Sequence, residues 1–289
     1  MRIHPIIIKK LEVDKLISSL VDLFYVEFNF NESVVLRHDK TLVLPTNSIE
    51  INLFFNTELF EYTQDGKSKL PYAMITGQKT KAKIYSTNKV EIIIIRFKRN
   101  SAALFVKEPI DQLTDFNISL SDIFSVNEIN NLYEKIISSK KVYDSVGNIN
   151  EFLIKKLNPN KMDYLIIDSI ERMENSNGKI HLSDVANHYS MSIRQFQRRF
   201  RNFIGLTPKQ YLNNIKVQNL IMNHTPTSNL RDSIHNAGYY DASHASKLFT
   251  PITSLKLSEL KKLNNQRPFS FVNIKSFLPA GCSSMFYLS

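Results

Sequence analysis

His181-Leu-Ser-Asp-Val-Ala-Asn-His-Tyr-Ser-Met-Ser-Ile-Arg-Gln-Phe-Gln-Arg-Arg-Phe-Arg-Asn-Phe-Ile-Gly-Leu206 is the stretch on which the reading of this chain turns. Ser183 is a good N-cap for a short helix in which Leu182, Val185, Ala186 and Tyr189 recur at helical spacing. Ser190-Met191 breaks the pattern. Ser192 then opens a second helix, and Gln195 three residues on completes the side-chain pair of a capping box. Phe196, Phe200 and Phe203 fall on one face of this helix. Arg194, Gln195, Gln197, Arg198 and Arg201 are left on the other, and Gly205 can close the helix in a left-handed conformation. A short helix, a tight turn and a basic helix backed by an aromatic ridge make up a helix-turn-helix whose second helix enters a DNA groove. An ordinary amphipathic pair with a solvated basic face has the same local pattern, so the surrounding chain has to decide.

Charge is the first discriminator. The chain has 289 residues and a net charge of +10. Residues 179–264 hold 12 Lys/Arg against 4 Asp/Glu, so most of the excess lies in less than a third of the length. Such asymmetry points to a polyanion as partner of this region. The length suits about two domains with proper cores, and 43% hydrophobic residues with 19 Phe and 12 Tyr supply them. The longest apolar run, Ile92-Ile-Ile-Ile95, is far shorter than a membrane span. The N-terminus lacks the apolar core and cleavage site of a secretion signal, and the single Cys282 forms no intrachain disulfide or cysteine-rich zinc site. These features place the protein in the cytoplasm, with no membrane partner; a DNA-bound protein there would be associated with the nucleoid.

Residues 1–125 read mainly as β-structure. Leu42-Val-Leu44, Ile49–Phe55, Ala82–Tyr85 and Val90–Phe97 are β-branched or aromatic runs separated by turn-like clusters, including Gln64-Asp-Gly-Lys67. Val13–Phe24, before them, alternates at helical spacing. Several short strands at this spacing predict a sandwich or small barrel. Arg96, inside the most apolar strand, needs a carboxylate or ligand partner, or a place at the strand's end. From about Ser121 the pattern turns helical, with Asn127–Ser138, Ile149–Leu157 and Lys161–Asn175 as candidates and Asn158-Pro159 as a start signal for the last.

Beyond Leu206, Thr207-Pro208 caps a helix running to about Asn223, long enough to separate two DNA-contacting units. Leu230–Ala237, Gly238-Tyr239 and Asp241–Phe249 then repeat the plan of short helix, turn and second helix, and Ser258–Leu263 forms a last short helix. Residues 265–289 are apolar and aromatic; a strand pair on the core and a disordered tail both suit them.

The segment from about 180 to 263 resembles the DNA-binding domain of the AraC/XylS family of bacterial transcription regulators. The residues that carry the resemblance are Leu182, Ala186, Ser192, Phe196, Arg198, Phe200, Gly205-Leu-Thr-Pro208 and Tyr211-Leu212, followed by Gly238-Tyr-Tyr-Asp241, Ser243-His244 and Phe249. The resemblance implies two helix-turn-helix units on one chain, joined by a long helix, each presenting a recognition helix to the major groove. It places base reading on Arg194, Gln197 and Arg198 in the first unit, and on Ala242, Ser243, His244 and Lys247 in the second. Arginine can pair with guanine and glutamine with adenine through two hydrogen bonds each, so the first set is chemically the stronger. Arg199, Arg201 and Lys209 suit phosphates.

The second unit departs from the family pattern: Ser233 stands for a large apolar residue, Ile234 for a small alanine, Ala245 for a phenylalanine. Pro251 falls just after its recognition helix, and Ser254 and Leu257 replace the closing Gly-x-x-Pro. These departures make the first unit the expected dominant reader. The N-terminal part resembles the cupin-like sensor domain of one AraC-type subgroup through Leu44-Pro45, Ile51-Asn-Leu53, Ile75-Thr-Gly77, Arg96-Phe97 and Glu108-Pro-Ile-Asp-Gln-Leu-Thr-Asp115, with Pro45-Thr46-Asn47 where related chains often have Pro-Asp-Gly.

The expected fold class is therefore α+β. A β-rich sensor or dimerisation domain spans 1–125, a helical connector 126–178, a double helix-turn-helix 179–264 and an apolar tail 265–289. The expected function is a sequence-specific, DNA-binding transcriptional regulator, with activator as its class. Arg194, Gln195, Gln197, Arg198, Arg201, Ser243, His244 and Lys247 are its DNA-binding residues. Double-stranded promoter DNA is the partner; RNA polymerase, a small-molecule effector and a second copy of the chain are further candidates. Sequence-independent nucleic-acid binding is the alternative, weakened by the absence of an aromatic stacking platform. A cupin-like enzyme is a weaker one: only His4 and His38 precede residue 180, no nucleophile elbow or nucleotide-binding loop is present, and no catalytic residue, cofactor or metal is expected. His181 and His188, with no third ligand beside them, are expected to be surface residues.

Overall fold

The structure, a computed structural model, describes residues 7–29, 40–87, 89–224, 228–260 and the backbone of 285–287. Its N-terminal half is built from two antiparallel sheets. The first contains β1 (Ile7–Leu11), β2 (Val21–Asn29), β4 (Glu50–Phe54), β7 (Ala73–Thr76), β9 (Lys89–Phe97) and β10 (Asn117–Ser119), in the order β1-β2-β9-β4-β7-β10. The second contains β3 (Lys40–Val43), β5 (Phe60–Thr63), β6 (Gly66–Lys69), β8 (Lys83–Ser86) and β11 (Met285–Tyr287), in the order β11-β3-β8-β5-β6. The helices follow as α1 (Leu120–Ile123), α2 (Val126–Ile137), α3 (Val146–Lys156), α4 (Tyr164–Asn175), α5 (Leu182–His188), α6 (Ile193–Ile204), α7 (Pro208–Asn223), α8 (Leu230–Asn236) and α9 (Ala242–Thr253). The class is α+β, as expected. Among the described residues, no helix is long and apolar enough to cross a membrane.

β9 lies between β2 and β4 and is buried on both faces, which is why its sequence is almost unbroken in β-branched residues. One face, with Leu23, Ile51, Ile75 and Ile93, packs in one core with the helices. The opposite face is zoned. At one end Phe54, Met74, Val90 and Ile92 make an apolar cluster with Leu59 and Leu70. At the other, Asn52 donates to Thr76 Oγ1 (3.0 Å), Thr76 donates to Asn117 Oδ1 (3.0 Å), and Asn117 Nδ2 reaches Glu61 Oε2 (2.8 Å) and the Tyr85 hydroxyl (3.1 Å). That chain of polar groups bridges the two sheets. Arg96 finds its carboxylate in Glu50 across the strand pair, with Nε and Nη2 each 2.7 Å from Oε1.

Three expectations about secondary structure are corrected. The helix over Val13–Phe24 is a short turn followed by strand β2; both faces of β2 are covered, so the two-residue period is hidden. The signal at Asn158-Pro159 opens a single 3-10 turn, and α4 starts only after the cap Asp163, which accepts from the Ile166 amide at 3.2 Å. The last short helix is a 3-10 turn over Leu257–Glu259, and residues 261–263 lie outside the described set. In the tail, Met285–Tyr287 pairs antiparallel with β3, so that segment is a strand. The rest of 265–289, His4 and His38 also lie outside the described residues.

Candidate nucleic-acid interface

α6 is held rigidly before it meets any partner. Ser192 and Gln195 form the expected capping box: Ser192 Oγ accepts from the Gln195 amide (3.2 Å), and Gln195 Oε1 accepts from the Ser192 amide (3.0 Å). Gly205 ends the helix at φ +92°, its amide donating to the Arg201 carbonyl at 2.8 Å. Phe196 and Phe200 are fully buried, and rings run in contact from Tyr189 through Phe196 and Phe200 to Tyr211. Burying each phenylalanine contributes roughly 2–3 kcal/mol. The short helix α5 begins two residues earlier than an N-cap at Ser183 implies. His181 is the capping residue and Ser183 lies inside the first turn.

The outward face of α6 carries Arg194, Gln195, Gln197, Arg198, Arg199 and Arg201, all exposed. Their availability differs. Arg199 is gripped by Asp163 through Nε (2.7 Å) and Nη2 (3.0 Å), a bidentate pair that ties α6 to the start of α4. Arg201 lies 3.5 Å from Asp111 of the N-terminal domain. Gln195 has its oxygen committed to the cap, leaving only its amide nitrogen. Among the described residues, no carboxylate pairs with Arg194 or Arg198. Together with Gln197, they are the groups presented outward.

The second unit is built differently. Ser233 is buried and shares a hydrogen-bonded knot with His224 Nδ1 (2.9 Å), Ser228 (3.2 Å) and the Asn229 carbonyl (3.1 Å). α9 continues through Pro251 to Thr253, where the sequence reading had the helix stop, and Ser254 takes the left-handed position at φ +61°. Ala82 of the N-terminal domain donates to the Ile252 carbonyl (2.7 Å), satisfying one of the acceptors that the C-terminal end of α9 leaves open. On the outward face of α9, Ala242, Ser243, His244 and Lys247 are all exposed. His244 is partly committed: its amide is capped by Asp241 (2.7 Å), and its Nδ1 accepts from the Tyr240 amide (3.3 Å), so Nε2 carries the proton available to a ligand. Among the described residues, one cation, Lys247, stands on this face where α6 presents two arginines with no carboxylate partner.

The sequence reading did not find how firmly the N-terminal domain holds the C-terminal one. Gln78 Nε2 donates to the Ile204 carbonyl, and Thr114 Oγ1 to the Gly205 carbonyl (3.1 Å), so the C-terminal end of α6 seats against the sheet domain. Asn47 Nδ2 donates to the Tyr211 carbonyl (3.1 Å), Asn214 Nδ2 reaches Asn47 Oδ1 (3.0 Å) and the Lys79 carbonyl (3.3 Å), and Gln218 bonds the Pro45 carbonyl (3.0 Å). Asn47 thus works as an anchor for α7. The Gly77 and Glu108–Asp115 motifs meet at this seat: a Cβ on Gly77 would lie 1.7 Å from the Leu113 carbonyl oxygen, so only glycine allows the approach. Lys79, fully buried beside Gln78, has its ammonium pushed down to about 8 by burial.

A helix-turn-helix domain model matches residues 185–262. Over 73 residues the chain is 30% identical to the HTH-type transcriptional activator RhaS of Escherichia coli O157:H7 (strain EC4115 / EHEC), and equally to that of Shigella boydii serotype 18 (strain CDC 3083-94 / BS512). The match takes in 25% of this chain and spans 26% of the length of those relatives. Among solved structures, ToxT from Vibrio cholerae aligns over 84% of this chain and 98% of its own at 10% identity, with a TM-score of 0.44.

Proposed function

We propose that this protein, whose residues 185–262 form a helix-turn-helix domain of the AraC/XylS type, is a sequence-specific DNA-binding regulator of transcription. The observation that carries the reading is the division of labour on α6. Its aromatic back is locked in the core and its flanking Arg199 is held by Asp163, while Arg194, Gln197 and Arg198 face outward with no partner among the described residues. A solvated face needs no such discrimination between neighbouring arginines. The RhaS relatives are named as activators, and we extend that class to this chain. In this reading residues 179–264 bind promoter DNA, residues 1–125 respond to a small-molecule effector, and residues 126–178 join them.

The sensing role is supported by two features that share a short segment. The sheet domain's interior has an apolar zone beside a polar one, the two kinds of surface that an amphiphilic molecule would have to displace. Lys79 lies near Glu50, Glu61 and Asp115 of the polar zone, and its neighbour Gln78 holds the end of α6. An effector that alters the surroundings of Lys79 therefore shifts Gln78 and, with it, the first reading helix.

Selection of bound duplexes from a random pool tests the proposal, followed by competition against bulk DNA at physiological salt. A regulator enriches a motif and prefers it by about a thousandfold or more. Equal binding to all sequences would overturn the reading in favour of a packaging protein. A motif spanning one half-site would show that the first unit reads alone.

A further inference from the structure

α6 exposes one apolar side chain among its polar ones. Ile193 is the first residue of the helix, directly after the cap Ser192, and is 44% exposed. Met191, two residues earlier, turns in against the core, whereas Ile193 is not part of any apolar cluster among the described residues. It stands one turn before Gln197 and next to Arg194, on the end of the helix that approaches base edges when such a helix docks in the major groove. An isoleucine offers no hydrogen bond to a phosphate or a base. The apolar group that a major groove displays is the C5 methyl of thymine.

We propose that Ile193 reads a thymine methyl and makes the first unit select thymine at one position of its site. This rests on the reading above, in which α6 enters the major groove. Four residues of helix advance about 6 Å, which equals about two base steps of roughly 3.4 Å. The selected thymine therefore lies within about two base pairs of the adenine that suits Gln197.

Deoxyuridine removes the methyl and leaves the pairing and polar edge unchanged. The full-length protein is titrated against the duplex recovered by selection, with each thymine replaced in turn by deoxyuridine. One replacement should weaken wild-type binding about three- to fivefold, the scale of one buried methyl. Ile193→Ala should bind the thymine duplex more weakly by a similar factor and be indifferent to deoxyuridine at that position, while Ile193→Val keeps part of the effect. The substituted side chain is outside the core, so melting temperatures should match wild type. If no replacement weakens wild-type binding, or Ile193→Ala stays sensitive at the same position, the assignment is overturned. If the selected duplex has no advantage over bulk DNA, the regulator reading falls with it.

Discussion

Gly205 is the point where the sheet domain touches the end of α6, and replacing it measures how tightly the two are joined. At φ +92° an L-residue pays about 1–2 kcal/mol for the left-handed backbone alone. A Cβ there would also lie 2.9 Å from the Ile110 carbonyl oxygen and 3.0 Å from both Gln78 Oε1 and Thr114 Oγ1. The first of these is backbone and cannot rotate away, so overpacking adds about 1–3 kcal/mol. Gly205→Ala should therefore destabilise the full chain by about 2–5 kcal/mol in urea unfolding at constant m. Gly205→Asn separates the two contributions. Asparagine tolerates the left-handed region, yet it places more atoms against Ile110 and Thr114. If the helix end is seated as described, asparagine is no better than alanine. Recovery of Gly205→Asn to near the stability of the glycine parent would show that only backbone strain was at stake and would refute the seat.

The outward groups of the two units should rank unequally. Arg198→Ala is expected to cost about 1–3 kcal/mol at the selected site and to relax one base pair. Lys247→Ala should cost less, and titration against single-base variants of the site would expose the reverse order. Asp111→Asn frees Arg201, so the salt dependence of DNA binding should steepen by about one phosphate contact; an unchanged slope means Arg201 does not reach DNA. Lys79 has an ordinary value of 10.5 and a folded value of about 8, so between these the unfolded chain binds a proton that the folded one does not. Stability should therefore rise as pH goes from about 8 to 10.5, and Lys79→Met should remove that rise while stabilising the protein at neutral pH by about 3 kcal/mol. Urea unfolding across that range checks both, and a flat wild-type profile would mean the ammonium is fully compensated where it lies.

What was legible in the sequence was local. The capping pair Ser192 and Gln195, the left-handed Gly205 and the Thr207-Pro208 start of α7 are set by residues a few positions apart, and all three stand as read. β2 was misread because burial of both faces erased the period that identifies a strand. Pro251 does not end α9, which continues to Thr253, and that helix end is docked by Ala82, more than a hundred residues away in sequence. The same distance hid the partners of the arginines. Nothing near Arg199 or Arg201 in sequence announces Asp163 or Asp111, and a basic helix face looks uniform until those carboxylates are placed. For Arg96 the need for a carboxylate was legible, but Glu50 became identifiable only with the register of β4 and β9.

α7 belongs to two cores at once. Tyr211, Leu212 and Ile215 complete the apolar cluster that runs from the first sheet through α4 and α6, whereas Val217, Leu220 and Ile221 join α8, α9, Leu42 of the second sheet and Leu44 just after it. Each cluster therefore draws on both halves of the chain. Cooperative opening follows shared burial rather than sequence order. In amide exchange, α6 should open together with β4 and β9, and α8 and α9 should form a separate block with the edge of β3. The molecule would then come apart along a line that crosses between the sheets and the helices, midway along a single helix.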